Sequence, residues 1–258
     1  MKLNCDNSES WCEKGKLFGV IGEFEEGLKC YDKALEINPE NDEAWYGKGA
    51  VLVNLGKVEE ALKFFEEALE INPENDEAWY GKGAALGRLG FVEEAFVCYD
   101  KALEINPEND EAWYGKGAAL VNVKKFEEAL KFFEKALEIN PDNEEIWLIK
   151  GLAFEGLGRK KDELNCYDKA LEINPENSRI WIEKGIVLLH AGKIEKGLIC
   201  FDKALEIDSK DVGIWLIKGL FLDKFDREEE ASKCFEKAFE IEPELAELKK
   251  RILIALDF

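Results

Sequence analysis

Positive charge is scarce in this chain. Against 35 Lys and Arg stand 56 Asp and Glu, which gives a formal net charge of -21 at pH 7 and a pI near 4.6. Nucleic-acid binding needs a basic stripe to displace counterions from phosphates, so that class is disfavoured. An anionic membrane surface is an equally poor match. The plainer meaning of the charge is self-repulsion that keeps the chain dissolved and monomeric or only weakly self-associated. Long apolar runs are missing too. No stretch approaches the roughly 18 residues that a membrane helix needs, and the N-terminal MKLNCDNSES has no apolar segment after its Lys. The sequence therefore predicts neither signal peptide nor membrane span.

Catalytic raw material is also thin. His190 is the only His, there is no CxxC pair, and the many carboxylates recur at fixed intervals, as solvated helix faces do. No phosphate-cradling Gly loop or Ca²⁺ loop occurs, so no cofactor, metal or enzymatic activity is expected. Five of the seven Cys (Cys30, Cys98, Cys166, Cys200, Cys234) hold one recurring position, which Phe64 and Phe132 fill elsewhere. A site that takes either Phe or Cys is a packing site, and thiols used this way point to a reducing cytoplasm.

What is abundant is repetition. Trp11, Trp45, Trp79, Trp113, Trp147, Trp181 and Trp215 are each 34 residues apart. Such a period marks stacked repeats. The units are 8–41, 42–75, 76–109, 110–143, 144–177, 178–211 and 212–245, with no linker left over, so 1–258 is expected to form one solenoid. Residues 42–75 predict a helix from about Glu43 to Leu55, with Asn41 and Asp42 at its N-cap. Gly56 suits a left-handed C-cap, and a second helix runs from about Glu59 to Glu70 and ends before Pro73. All six Pro occupy this last position, with Ser209 replacing it once.

The pattern resembles the tetratricopeptide repeat (TPR) over 8–245. The family's Trp and Gly (Gly15 through Gly219) and its late Ala (Ala34 through Ala238) are complete. Its aromatic is Tyr31, Phe65, Tyr99, Phe133, Tyr167, Phe201 and Phe235. Its middle Ala is kept at Ala61, Ala95, Ala129 and Ala231 but departs to Gly27, Glu163 and Gly197. The wording is close to repeats of methanogenic archaea. The resemblance implies an all-α fold, a right-handed α-α superhelix whose first helices line a concave groove that binds proteins or peptides. One departure is systematic. Lys14, Lys48, Lys82, Lys116, Lys150, Lys184 and Lys218 stand where the family usually has Leu, and an acid follows every aromatic. We expect a Lys–carboxylate ladder within repeats, Lys116 with Glu134 for example; two separately solvated faces are the alternative.

Mapping the family's groove positions gives two zones. Tyr46, Tyr80 and Tyr114 stand over a floor of Gly47, Gly81, Gly115, Ala50, Ala84 and Ala118, with Asn54, Arg88 and Asn122 as polar contacts. INPENDEAWYGKG occurs three times unchanged, so simple duplication explains this zone equally well. Leu148, Ile149, Leu152, Ile182, Ile186, Leu189, Leu216, Ile217 and Leu220 form a second, apolar zone, which suggests an interaction site. Glu9, Glu43, Glu77, Glu111 and Glu145 make an acidic column beside the groove. The expected ligand is a protein or peptide segment with apolar anchors and basic flanks, and the alternative is self-assembly through the same face or the ends. The family's carboxylate clamp for chaperone C-terminal tails is absent, because Cys12, Tyr46, Tyr80, Tyr114, Leu148, Ile182 and Leu216 occupy its key Lys position. Residues 246–258 continue helical spacing through Leu248, Ile252 and Leu256 and are expected to cap the last repeat; dimerisation through Leu253, Ile254 and Phe258 is the other possibility.

Overall fold

The computed structural model of the chain describes residues 7–245. The expected terminal cap, 246–258, lies outside them. The described residues hold fourteen complete helices, the first turn of a further one at 243–245, and no strand. They group into two compact units, divided between Asp142 and Asn143. The first holds α1 (Ser8–Val20), α2 (Phe24–Ile37), α3 (Asp42–Asn54), α4 (Val58–Ile71), α5 (Asp76–Arg88), α6 (Val92–Ile105), α7 (Asp110–Asn122) and α8 (Phe126–Ile139). The second holds α9 (Glu144–Gly156), α10 (Lys160–Ile173), α11 (Ser178–His190), α12 (Ile194–Ile207), α13 (Val212–Lys224) and α14 (Glu228–Ile241).

Local chemistry sets the ends of each helix. Asn41 Oδ1 accepts from the Ala44 amide at 2.9 Å, and Asn75 and Asn109 do the same one and two repeats later. Each cap satisfies an amide that the helix itself leaves free. The first helix of a pair ends when Gly56 turns left-handed, at φ +76°, and the Lys57 amide closes back onto Leu52 O at 2.9 Å. Lys124 (φ 61°) and Asp226 (φ 59°) take this turn without being Gly. After the second helix, Pro73 O accepts from Trp79 Nε1 at 2.9 Å. Ser209 O does the same for Trp215 at 3.0 Å, so the tether survives loss of the proline.

Packing depends on rings pressed against glycines. A Cβ added at Gly49 would lie 2.6 Å from the Phe65 ring, and one added at Gly81, in the next repeat, would also meet that ring at 2.6 Å. Tyr31 sits likewise between Gly15 and Gly47, and Tyr99 between Gly83 and Gly115. Each ring thus stitches its own helix pair to the following one. The cysteines that share the Phe64 position are buried, as a packing role requires. Burial pushes the Cys166 thiol up to about 12.

Two polar ladders reinforce the stack. Asp42 Oδ2 accepts from Asn72 Nδ2 and Asn75 Nδ2, both at 2.8 Å, and Asp76 accepts from Asn106 and Asn109 at 2.9 Å. The second ladder corrects the register expected from sequence. Lys48 meets Asp32 at 2.7 Å, Lys82 meets Glu66 at 3.0 Å, Lys116 meets Asp100 at 2.6 Å and Lys184 meets Asp168 at 2.7 Å. Lys218 pairs with Asp202. In each pair the acid comes from the preceding repeat, sixteen residues earlier. The Lys stem runs over the aromatic seam, so its ammonium emerges beside the previous second helix.

Candidate functional site

In the first unit, Tyr80 and Tyr114 share a cleft and Tyr46 lies outside it. Tyr46, Tyr80 and Tyr114 are half-buried, each tilted against the ring of its own second helix (Phe65, Tyr99, Phe133) with centroids 6.0–6.2 Å apart. Tyr80, Arg88, Tyr114 and Asn122 line a cleft of about 160 Å³ with Ala84 and Ala118. Arg88 is drawn off that cleft in part, since its guanidinium donates to Val53 O at 3.2 Å. Asn54 is exposed. The floor needs correction. Gly47, Gly81 and Gly115 are buried as seats for the rings of Tyr31, Phe65 and Tyr99, and of the three only Gly115 also lines the cleft.

In the second unit, two of the expected groove residues are core. Leu148 is 0% exposed, because Tyr167 and Leu171 of α10 and Ile180 and Val187 of α11 close over it. Leu189 is 2% exposed. It leans into the space that Gly197 leaves by having no side chain, where an added Cβ would lie 2.5 Å from Leu189 Cγ. Ile149, Leu152, Ile182 and Leu216 are half-buried. Ile186, Ile217 and Leu220 come together. With His190, Phe221 and Lys224 they line an apolar cleft of about 380 Å³ between α11 and α13. Leu220 is 61% exposed there. His190 stands against Phe221, ring centroids 5.4 Å apart.

An acidic pocket adjoins this cleft and shares Ile186 and His190 with it. Its volume is about 90 Å³, and its other lining residues are Glu155, Gly158, Lys160, Glu163, Glu183 and Val187. Glu155 comes from α9, Glu163 from α10 and Glu183 from α11. Burial pushes Glu163 up to about 7, Glu155 and Glu183 adding to the rise while Tyr167 and Lys160 oppose it. Burial raises Glu183 as well, with Glu155 adding to it. Sequence reasoning registered Glu163 as a departure from Ala and missed it as a site residue. The acidic column expected alongside is partly engaged within the protein: Lys16 lies 3.4 Å from Glu43, and Arg179 lies 3.7 Å from Glu145.

Comparison with known proteins settles the family. Tetratricopeptide-repeat profiles match residues 42–75, 76–109 and 110–143, then 144–177 and 212–245, then 166–198, and a TPR profile matches 20–56. The chain belongs to the TPR family. Among solved structures, this TPR chain is similar to YrrB, described as a TPR protein with an unusual peptide-binding site. Identity is 26%, coverage is 71% of this chain and 95% of that one, and the TM-score is 0.50. It is also similar to a TPR protein from Parabacteroides merdae (20% identity, 91% and 93% coverage, TM-score 0.64). The Cut9–Hcn1 hetero-tetramer of the APC/C shares the fold over 94% of this chain and 48% of that one, at 14% identity and TM-score 0.75. No curated protein matches the sequence, and the likeness to methanogen repeats finds no support. Among the described residues, no helix is long and apolar enough to cross a membrane.

Proposed function

We propose that this TPR protein is a binding scaffold, not an enzyme, and that it takes a protein segment with apolar anchors and basic flanks on the face formed by α11 and α13. The observation that carries this reading is the 380 Å³ cleft lined by Ile186, Ile217, Leu220 and Phe221, with Leu220 largely in water. An apolar cleft with a partly polar edge favours a side-chain anchor. The charge of the surroundings selects the flanks: Glu155 and Glu183 lie beside the cleft, and the whole chain carries -21. A basic segment is drawn to such a field and an acidic one is repelled. The similarity to YrrB, whose description names a peptide-binding site, supports a peptide ligand. Buried thiols fit a reducing cytoplasm.

Selection of binders from a random peptide library displayed on phage tests this. Enriched sequences should pair two apolar residues with a neighbouring Lys or Arg. Binding should be lost in a folded Ile217→Glu/Leu220→Glu variant and should weaken as salt rises. Enrichment of acidic sequences, or binding indifferent to both substitutions, would overturn the reading. Mass that rises with protein concentration, and falls back in the same variant, would instead favour self-assembly through this face.

A further inference from the structure

Glu163 has no ordinary place in a TPR core. At its position four other repeats carry Ala, and those four alanines are buried. The Glu163 side chain is nevertheless enclosed, 2% exposed, and its Oε1 has no hydrogen-bond partner. The Tyr167 hydroxyl lies near enough to ease the carboxylate's charge but is not in bonding geometry, and it too has no partner. Leaving a carboxylate and a phenol unmet in the interior costs free energy that a structural role does not return. Glu163 lines the acidic pocket, whose roughly 90 Å³ exceeds several-fold what one water needs.

Around Glu163 the charges are one-sided. Glu155 of α9 and Glu183 of α11 face the same pocket; Lys160 of α10 is the opposing charge on its lining, its Nζ reaching His190 O at 3.5 Å, and Arg179 of α11 acts on Glu183 from outside that lining. His190 is the remaining titratable group on the lining. The geometry points to a receptor for one cationic side chain, a guanidinium or ammonium, carried by the segment whose apolar residues fill the adjoining cleft. This rests on the reading of that cleft given above, because Ile186 and His190 wall both spaces. A guanidinium suits the pocket best. It brings five donors in a planar fork to three carboxylates, and it is less strongly hydrated than an ammonium. A water could satisfy Glu163 Oε1 but would leave the excess negative charge in place.

Two measurements separate this pocket from the cleft beside it. The first follows the Glu163 carboxyl carbon by NMR, with the resonance assigned by its loss in Glu163→Gln. Methylguanidinium chloride should lower the titration midpoint by about one unit, a tenfold change in proton affinity, relative to sodium chloride of equal strength. Identical midpoints in the two salts would mean that water alone occupies the pocket, and would overturn the proposal. The second uses peptides enriched on the wild-type protein. Replacing their Arg by citrulline should weaken binding about tenfold on the wild type and hardly at all on Glu163→Ala, which restores the common residue of the repeat. If citrulline has no effect while Leu220 remains essential, the pocket falls and the cleft stands. If methylguanidinium shifts Glu163 and no peptide binds, the cleft reading falls and the pocket remains.

Discussion

Lys116 Nζ lies 2.6 Å from Asp100 Oδ1, a residue of the preceding repeat. The Lys side chain is 9% exposed and the Asp 57% exposed. The ammonium also lies 4.9 Å from the centre of the Phe132 ring and 5.1 Å from that of Phe96. The two partners therefore contribute unequally. Lys116→Ala removes buried stem and cation–π contacts and should cost about 2 kcal/mol, whereas Asp100→Ala, with its carboxylate in water, should cost less than about 1 kcal/mol. Lys116→Glu with Asp100→Lys should recover part of the stability lost in Lys116→Glu alone. The swap with Glu134, in the same repeat, should not. Urea unfolding of the five variants gives the answer, and equal recovery in both swaps would reject the cross-repeat register.

Glycine substitutions should split by what their Cβ would meet. At Gly115 a methyl group would press on the Tyr99 ring at 2.6 Å, so Gly115→Ala should destabilise by about 1–3 kcal/mol. At Gly19 nothing lies within 4 Å, so Gly19→Ala should stabilise by about 0.5–1 kcal/mol through helix propensity alone. Thermal melts of the two proteins should move in opposite directions.

The left-handed turns offer a reverse experiment. Lys124 and Asp226 hold φ near 60° where five other repeats use Gly. Lys124→Gly and Asp226→Gly should each gain about 1 kcal/mol by relieving the Cβ strain of that conformation. A loss of stability in denaturant titrations would show that these side chains contribute more than the strain costs.

Glu163 makes stability depend on pH with an unusual sign. Its folded-state value near 7 lies above the ordinary 4.5, so the folded chain holds this proton more tightly than the unfolded one. Between roughly pH 4.5 and pH 7 this group therefore lowers stability as pH rises, and the penalty is complete above about pH 7. Glu163→Gln should be more stable than wild type near pH 8, by something of the order of 3 kcal/mol, and close to it near pH 4. A difference that does not vary with pH would contradict the buried-carboxylate assignment.

Helix existence, caps and turns were legible because each repeat states them with a strong local signal. The helices expected at Glu43–Leu55 and Glu59–Glu70 are found at Asp42–Asn54 and Val58–Ile71, and Gly56 is left-handed as its place implied. Burial of individual groove residues was less legible, because it depends on neighbours far away in sequence. Leu189 is buried because Gly197 makes room for it, and Leu148 because α10 of its own pair and α11 of the next close over it. The register of the Lys ladder was hidden for the same reason: both candidate acids carry the same local pattern, and only the stacking of pairs selects one. Glu163 did leave a sign, a charged residue at a position otherwise held by Ala or Gly. What it meant depended on Glu155 and Glu183, which α9 and α11 bring to the same place.

The Asp–Asn ladder has a consequence for how the protein comes apart. It needs an amide donor on each turn, and the turn before α13 carries Asp208 and Asp211 where earlier turns carry Asn. A carboxylate cannot donate, and the residue that would accept from the next turn is Val212 rather than Asp42 or Asp76. From that turn onward this ladder is lost, and α12 and α13 are joined by apolar contacts such as Leu205 with Ile214 and by the Lys218–Asp202 pair. Unfolding should therefore have a direction. Amide protons of α13 and α14 should exchange with deuterium well before those of α5 and α6, so the stack should loosen from the helix pairs that lack the ladder.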